Sequence, residues 1–357
     1  MRTVRFEETD RVPCYDILEN DSIIEHYARR PLMPEHGRRV KALAIGRVLD
    51  MTRMPDGPRL PGHHRREDGF VIKQERWTSW IVERPFHDVA GLRSWVKERI
   101  RQTEALARDR AYGNQVHREV RALQAAFAEG DPTARNDPTV LVLESGVGLT
   151  EMYHLAGMEL FSYLLADDPG LVETWLEARL RAELRRVATI ADPDLIPIVL
   201  TYDDLAYKNG VLFSPIWLRR VWFPRLKRLV EAWHTRDTLC LFHSDGHLWS
   251  IMDDLVAAGI DGLNPLEVLA GMSVKAVRRR YPQLFLAGGI DVSQLLPYGR
   301  PDEVRAVCQQ TIEDAGGVGY FLGSTTELHW GVKLENAIAM FEVAHGGPID
   351  HQGGNNC

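Results

Sequence analysis

Short apolar runs that end in Gly, Asp, Asn or Ser, helical periodicity between those runs, and the length of the chain together predict an α/β fold: a (β/α)8 TIM barrel with an irregular helical N-terminal part. The strand-like runs are IPIVLTYDD (196–204), TLCLFHSD (238–245), GIDGLNP (259–265), LFLAGGID (284–291) and GYFLGS (319–324). Between them Leu248, Ile251, Met252 and Leu255 share one helical face, and Gly259 stands where a helix C-terminal glycine belongs. Val304, Val307, Cys308 and Ile312 share another face, with Pro301 at the start and a Gly pair at the end. Leu176, Leu180, Leu184 and Val187 mark an earlier helix. Alternation at this spacing requires right-handed parallel crossovers, and 357 residues favour a closed barrel over an open sheet. No Gly-rich dinucleotide fingerprint or phosphate loop follows any of these strands, which weakens the open-sheet alternative.

The first half is less regular. VPCYDIL (12–18) fits a first barrel strand and VLVLESG (140–146) another, whereas GFVIKQERWTSWIVERP (69–85) has the pattern of a hairpin or an excursion, and 89–130 is mostly helical. Trp77 and Trp80 on that hairpin either cover the mouth of the barrel or form a surface cluster. No repeat or flexible linker divides the chain, so residues 1–350 are read as one domain and HQGGNNC (351–357) as a disordered tail.

Composition narrows the function. The chain is 45% hydrophobic and 26% charged, and its net charge of −7 is spread along the sequence, which favours solubility over binding to nucleic acid. Four cysteines without a CxxC spacing, and an N-terminus without a signal-type apolar core, point to the reducing cytoplasm. No run of about 18 apolar residues supports a membrane span.

The carboxyl ends of parallel barrel strands form the catalytic face, and this sequence crowds acids and histidines there. Asp203 and Asp204 close one strand, His243 and Asp245 the next, Glu267 follows GLNPL, Asp291 closes LAGGID, and Glu327 and His329 follow FLGSTT. Strand side chains alternate, so His243 and Asp245 project to the same side. An H-x-D pair with a glutamate one strand further on suits a divalent metal held by nitrogen and carboxylate oxygen, with His243, Asp245 and Glu267 as ligands. Asp203 and Asp204 are the acid–base candidates, one of the two being expected to work. Asn264 and Asp291 are placed to position a substrate, Tyr207, Lys208 and Asn209 to bind an anion, and Tyr153, Glu327 and His329 to line the mouth. The plainer alternative for each residue is a satisfied strand terminus or helix cap.

Several stretches carry a resemblance: TYDDLAYKNGVLFSP, FHSDGHLWSIMDDLVAAGIDGLNPLE, LAGGIDVSQLL and GYFLGSTTELHWGVKLENAIAM, with weaker support from DRVP and HLAGMELFSYLLADDP. They resemble the uroporphyrinogen decarboxylase superfamily, which also holds the zinc-dependent corrinoid and coenzyme M methyltransferases and is related to cobalamin-independent methionine synthase. The resemblance implies a (β/α)8 barrel with its site at the carboxyl face. Two departures qualify it. The family's R-Q-A-G-R motif, which pairs with porphyrinogen carboxylates, is replaced here by YDILENDSII, so an octacarboxylate substrate lacks its bidentate partners. The methyltransferases hold zinc through H-x-C, a later Glu and a second Cys; the corresponding residues here are His243, Asp245, Glu267 and Thr326, so both thiolates are lost. An oxygen-rich site is harder and suits oxygen ligands better than a soft thiol.

Three functions follow, in order of preference. The first is metal-assisted methyl transfer or demethylation on a small polar or aromatic substrate, with one divalent metal, zinc foremost, and a corrinoid supplied only by a separate corrinoid protein. The second is decarboxylation of a small carboxylic acid by acid–base catalysis, and the third a catalytically degenerate binding barrel. A homodimer is expected by analogy with the superfamily.

Overall fold

The computed structural model describes residues 1–106, 109–131, 139–347 and 349, so the expected tail at 351–357 lies outside the described residues. Its centre is a curled, wholly parallel sheet of seven strands. In spatial order these are Met51–Arg53, Val140–Ser145, Ile198–Tyr202, Leu239–His243, Gly262–Asn264, Phe285–Ala287 and Tyr320–Phe321, which is also their order in the chain. Five of the seven are the runs expected in the C-terminal half, trimmed at both ends, and Val140–Ser145 is the earlier expected strand.

Met51–Arg53 is a strand the hydrophobic pattern does not announce. The expected strand at 12–18 is shortened to single-residue bridges: Cys14 pairs in parallel with Leu322 and Tyr15 with Met51. Tyr15 N donates to Leu322 O at 3.0 Å, and Met51 N to Cys14 O at 3.1 Å, so this segment lies between the two edge strands of the sheet. Leu18–Glu19 then pairs in parallel with Leu328–His329.

Helices cover the outer face, and their ends follow local chemistry. Asp168 accepts from Leu171 N and precedes Pro169 at the start of Pro169–Ile190. Asp109 does the same for Arg110–Gly130, and Gly316, at positive φ, ends Pro301–Ala315. The helix expected after FHSDGH is reduced to Met252–Ala257. The excursion at 69–85 supplies two strands of a three-stranded antiparallel sheet, Gly62–Arg65, Val71–Gln74 and Ser79–Glu83. No helix among the described residues is long and apolar enough to cross a membrane.

The inner face of the sheet buries a compact apolar cluster that includes Met51, Val142, Leu200, Leu241, Phe285 and Phe321. Because side chains alternate, the residue two positions further along each strand stays on that inner face. From Met51, Val142, Leu200 and Leu241 this step leads to Arg53, Glu144, Tyr202 and His243, which form a polar floor above the apolar plug.

Gly323 is where the segment at 12–18 passes the sheet edge: a Cβ there would press on the Tyr15 carbonyl oxygen. Gly323→Ala should therefore cost about 2–3 kcal/mol of stability through overpacking, read as a lower urea midpoint at unchanged slope.

Candidate active site

The site is built around His243, the last residue of its strand and 6% exposed. Its Nε2 faces Asp204 Oδ1 at 3.8 Å and Asp245 Oδ1 at 4.0 Å. Donor atoms of Asp204, His243 and Asp245 all lie within 4.8 Å of one another. Asp245 Oδ1 is buried and has no hydrogen-bond partner among the described residues. A buried carboxylate oxygen left unsatisfied is costly unless a proton or a cation meets it. Burial, with Asp204, Glu267 and Glu327 nearby, pushes the Asp245 carboxyl up to about 7. Burial also raises Asp204, and burial together with the Arg53 guanidinium holds His243 well below its ordinary value, so the imidazole is neutral.

The other imidazole nitrogen has two neighbours. Nδ1 lies 2.7 Å from Arg53 Nη2 and 2.8 Å from Asn264 Oδ1. Guanidinium only donates and the amide oxygen only accepts, so each neighbour satisfies a different tautomer. With the proton on Nε2, toward the carboxylates, Nδ1 accepts from Arg53. With the proton on Nδ1, the ring donates to Asn264 and turns the Nε2 lone pair toward Asp204 and Asp245, as a metal ligand requires. Asn264 is itself held by donation from Nδ2 to Ala287 O at 3.2 Å.

The acid pair divides. Asp204 enters the site, accepting from Asp245 N at 3.3 Å, while its own N donates to Thr150 Oγ1 at 2.6 Å. Asp203 is fully buried and accepts from Thr150 N at 2.7 Å, Trp222 Nε1 at 2.9 Å and Gly148 N at 3.2 Å, which ties the start of the helix Leu149–Ala156 to the sheet. Burial wins over those donors and raises its carboxyl to about 6. Glu267 stands outside the three-residue donor set; its Oε2 accepts from Gly246 N at 2.7 Å and so fixes the turn that carries Asp245.

The remaining expected residues separate in the same way. Tyr153 reaches the site's edge and donates its hydroxyl to Asp204 O at 3.0 Å. Glu327 acts on Asp245 through space. Tyr207, Lys208 and Asn209 sit exposed at the tip of a small hairpin, whose Tyr207 carbonyl accepts from His247 N at 2.9 Å. Asp291, by contrast, spends its carboxylate on Ser293, Gln294 and Leu295 N–H groups at a helix start. His329 has both ring nitrogens engaged, Nε2 donating to Val292 O at 3.1 Å and Nδ1 accepting from Gly331 N at 3.0 Å. Both are engaged by backbone groups.

Sequence reasoning missed Arg53, which joins His243 to Tyr15 (3.3 Å) and Glu144 (3.4 Å), and Asp16, which is buried, raised to about 7 and bound to Ser324 N at 2.7 Å. The inward alternation of strands already predicted would have found Glu144 and Tyr202; Arg53 lies on a strand too short for any pattern.

Comparison with known proteins agrees with this architecture. Residues 153–347, more than half of the chain, match the family model for uroporphyrinogen decarboxylase (URO-D). The chain belongs to the URO-D family. No curated protein matches it at the sequence level. Among solved structures, a methyltransferase from Methanosarcina mazei shares its fold at a TM-score of 0.68 and 18% identity, covering 97% of this chain and 96% of that one. A xylose isomerase-like TIM barrel protein from Mycobacterium smegmatis, solved with magnesium, overlaps 73% of this chain and 90% of its own at 14% identity, and its TM-score of 0.35 is too low to bear on the fold. The URO-D match spans Asp204, His243, Asp245 and Glu267, but Asp16 and Arg53 lie before it.

The three donors of Asp203 make a direct prediction. Asp203→Ala leaves buried N–H groups unpaired and should cost about 3 kcal/mol, read as a lower urea midpoint at unchanged slope.

Proposed function

We propose that this URO-D family member is an enzyme of methyl transfer or demethylation, built on a closed (β/α)8 ring completed by the segment at 13–15, with a divalent ion held by Asp204, His243 and Asp245. The observation that carries this reading is Asp245 Oδ1, a buried carboxylate oxygen without a hydrogen-bond partner among the described residues, facing a neutral imidazole and a second carboxylate. Four acids, Asp204, Asp245, Glu267 and Glu327, surround that point against one guanidinium, Arg53, so the local charge favours a cation. The donor set is one nitrogen and carboxylate oxygens, a combination zinc and harder divalent ions accept.

When bound, the ion supplies Lewis acidity to a substrate oxygen. The chain's own groups do the rest. Asn264, by accepting from Nδ1, would hold His243 in the ligand tautomer, and Glu267 would keep the Asp245 turn in register. Asp204 would then act as a ligand rather than as the acid–base group expected from the sequence. Burial keeps Tyr202 protonated, with its ring 5.7 Å from that of His243 and its hydroxyl hydrogen-bonded to Asp204, so an oxygen that loses its methyl group would take this donor from Asp204. The structural neighbour is described as a methyltransferase, which is compatible with this reading. A corrinoid on a separate protein would serve as acceptor. Decarboxylation is the second reading, favoured by Arg53, whose buried guanidinium could hold a substrate carboxylate beside His243.

Two assays separate them. With free cob(I)alamin as acceptor and a panel of methoxy and methylamino donors, formation of methylcobalamin should require zinc or another divalent ion and fall at least tenfold in His243→Ala. Release of carbon dioxide from a carboxylic acid by chelated protein would support decarboxylation instead. The pH dependence has a definite sign. Asp245 is raised to about 7, so it is protonated and neutral below that value and ionises as the pH rises. Divalent-ion affinity should climb roughly tenfold per unit up to about pH 7 and then level off, because one proton is displaced on binding.

A further inference from the structure

Arg53 brings a guanidinium into the acid-rich centre, and its bonds leave part of it unspent. Its strand, Met51–Arg53, is separated from that of His243 by Val140–Ser145 and Ile198–Tyr202, so the side chain reaches across the polar floor of the sheet. Nε donates to the Tyr15 hydroxyl at 3.3 Å, Nη1 to Glu144 Oε1 at 3.4 Å, and Nη2 lies 2.7 Å from His243 Nδ1. A guanidinium carries five N–H groups, and no partner among the described residues takes the others. The shortest of these contacts goes to a neutral ring. Glu144, the carboxylate it touches, has a side chain 54% exposed, and that of Arg53 is itself 16% exposed. An anion can therefore reach the guanidinium from solvent, and a carboxylate matches its fork of donors.

The contact with His243 depends on the state of the ring. Nδ1 accepts from Arg53 only while it carries no proton; in the ligand tautomer it is protonated and donates to Asn264 Oδ1 instead. Two N–H groups then point at each other, and Arg53 relieves the clash by turning away from the ring. Charge acts in the same direction. An anion beside Asp204 and Asp245 is repelled until a cation offsets their charge.

We propose that Arg53 is the anion half of a paired site: it leaves Nδ1 when Asp204, His243 and Asp245 hold their divalent ion, and turns to a carboxylate of the substrate. The methyl donor is then a small molecule that carries a carboxylate besides its methoxy or methylamino group. The proposal rests on the reading of the centre as an ion site.

Calorimetric titration of the full-length protein at constant ionic strength tests it, with zinc as the ion, methoxyacetate as the anionic probe and methoxyethanol as its neutral counterpart. Zinc should tighten methoxyacetate at least tenfold and leave methoxyethanol unchanged, and methoxyacetate should tighten zinc by the same factor, since coupling is reciprocal. Arg53→Met should bind zinc at least as tightly as the wild type and lose the coupling. Glu144→Gln, a change at an exposed carboxylate, should strengthen methoxyacetate, because the group competing for Arg53 is gone. Zinc binding that methoxyacetate does not affect, or coupling that survives in Arg53→Met because the carboxylate sits on the ion alone, would overturn this proposal and leave the ion site standing. Should Arg53→Met fail to fold, methoxyacetate affinity unchanged in Glu144→Gln would overturn it as well. Absence of zinc binding to the wild type would overturn both readings.

Discussion

One imidazole and the carboxylates turned toward it set the terms for everything else in this molecule. His243 ends its strand on the inner face of a parallel sheet, above an apolar plug, where burial strips water from any charge brought near. Asp204 and Asp245 on its Nε2 side are both raised by burial, and the Asp204 charge pushes Asp245 further. Such an arrangement is stable only when protons or a cation sit among the oxygens.

The surroundings hold that arrangement fixed rather than relieve it. Glu267 ties down the turn that carries Asp245, Asp203 ties the neighbouring helix to the sheet, and Asn264 and Arg53 compete for the far side of the imidazole. Each tie is a charge-assisted or buried hydrogen bond, the kind most expensive to leave unmade. The site is thus placed by strand ends and steadied by loops.

The sequence showed the strands well wherever apolar runs stopped at a polar residue, because that boundary is also where a buried strand reaches the carboxyl end of the sheet. It did not show Met51–Arg53, three residues long, nor that 12–18 would pair only through single bridges. The candidate residues were legible as a set and not as roles. Asp203 and Asp204 are adjacent and identical in type, and only the fold reveals that one is wrapped in three N–H donors while the other faces His243. Asp291 and His329 look equally functional in one dimension, and only the fold shows the backbone groups that each engages.

The most direct measurement is the metal content of protein purified without chelator, compared with His243→Ala and Asp245→Ala. About one zinc or other divalent ion per chain, lost from both variants, is the result this account predicts. Metal-free wild-type protein that also fails to take up zinc, manganese or magnesium when supplied, or a bound ion retained in both variants, would contradict it.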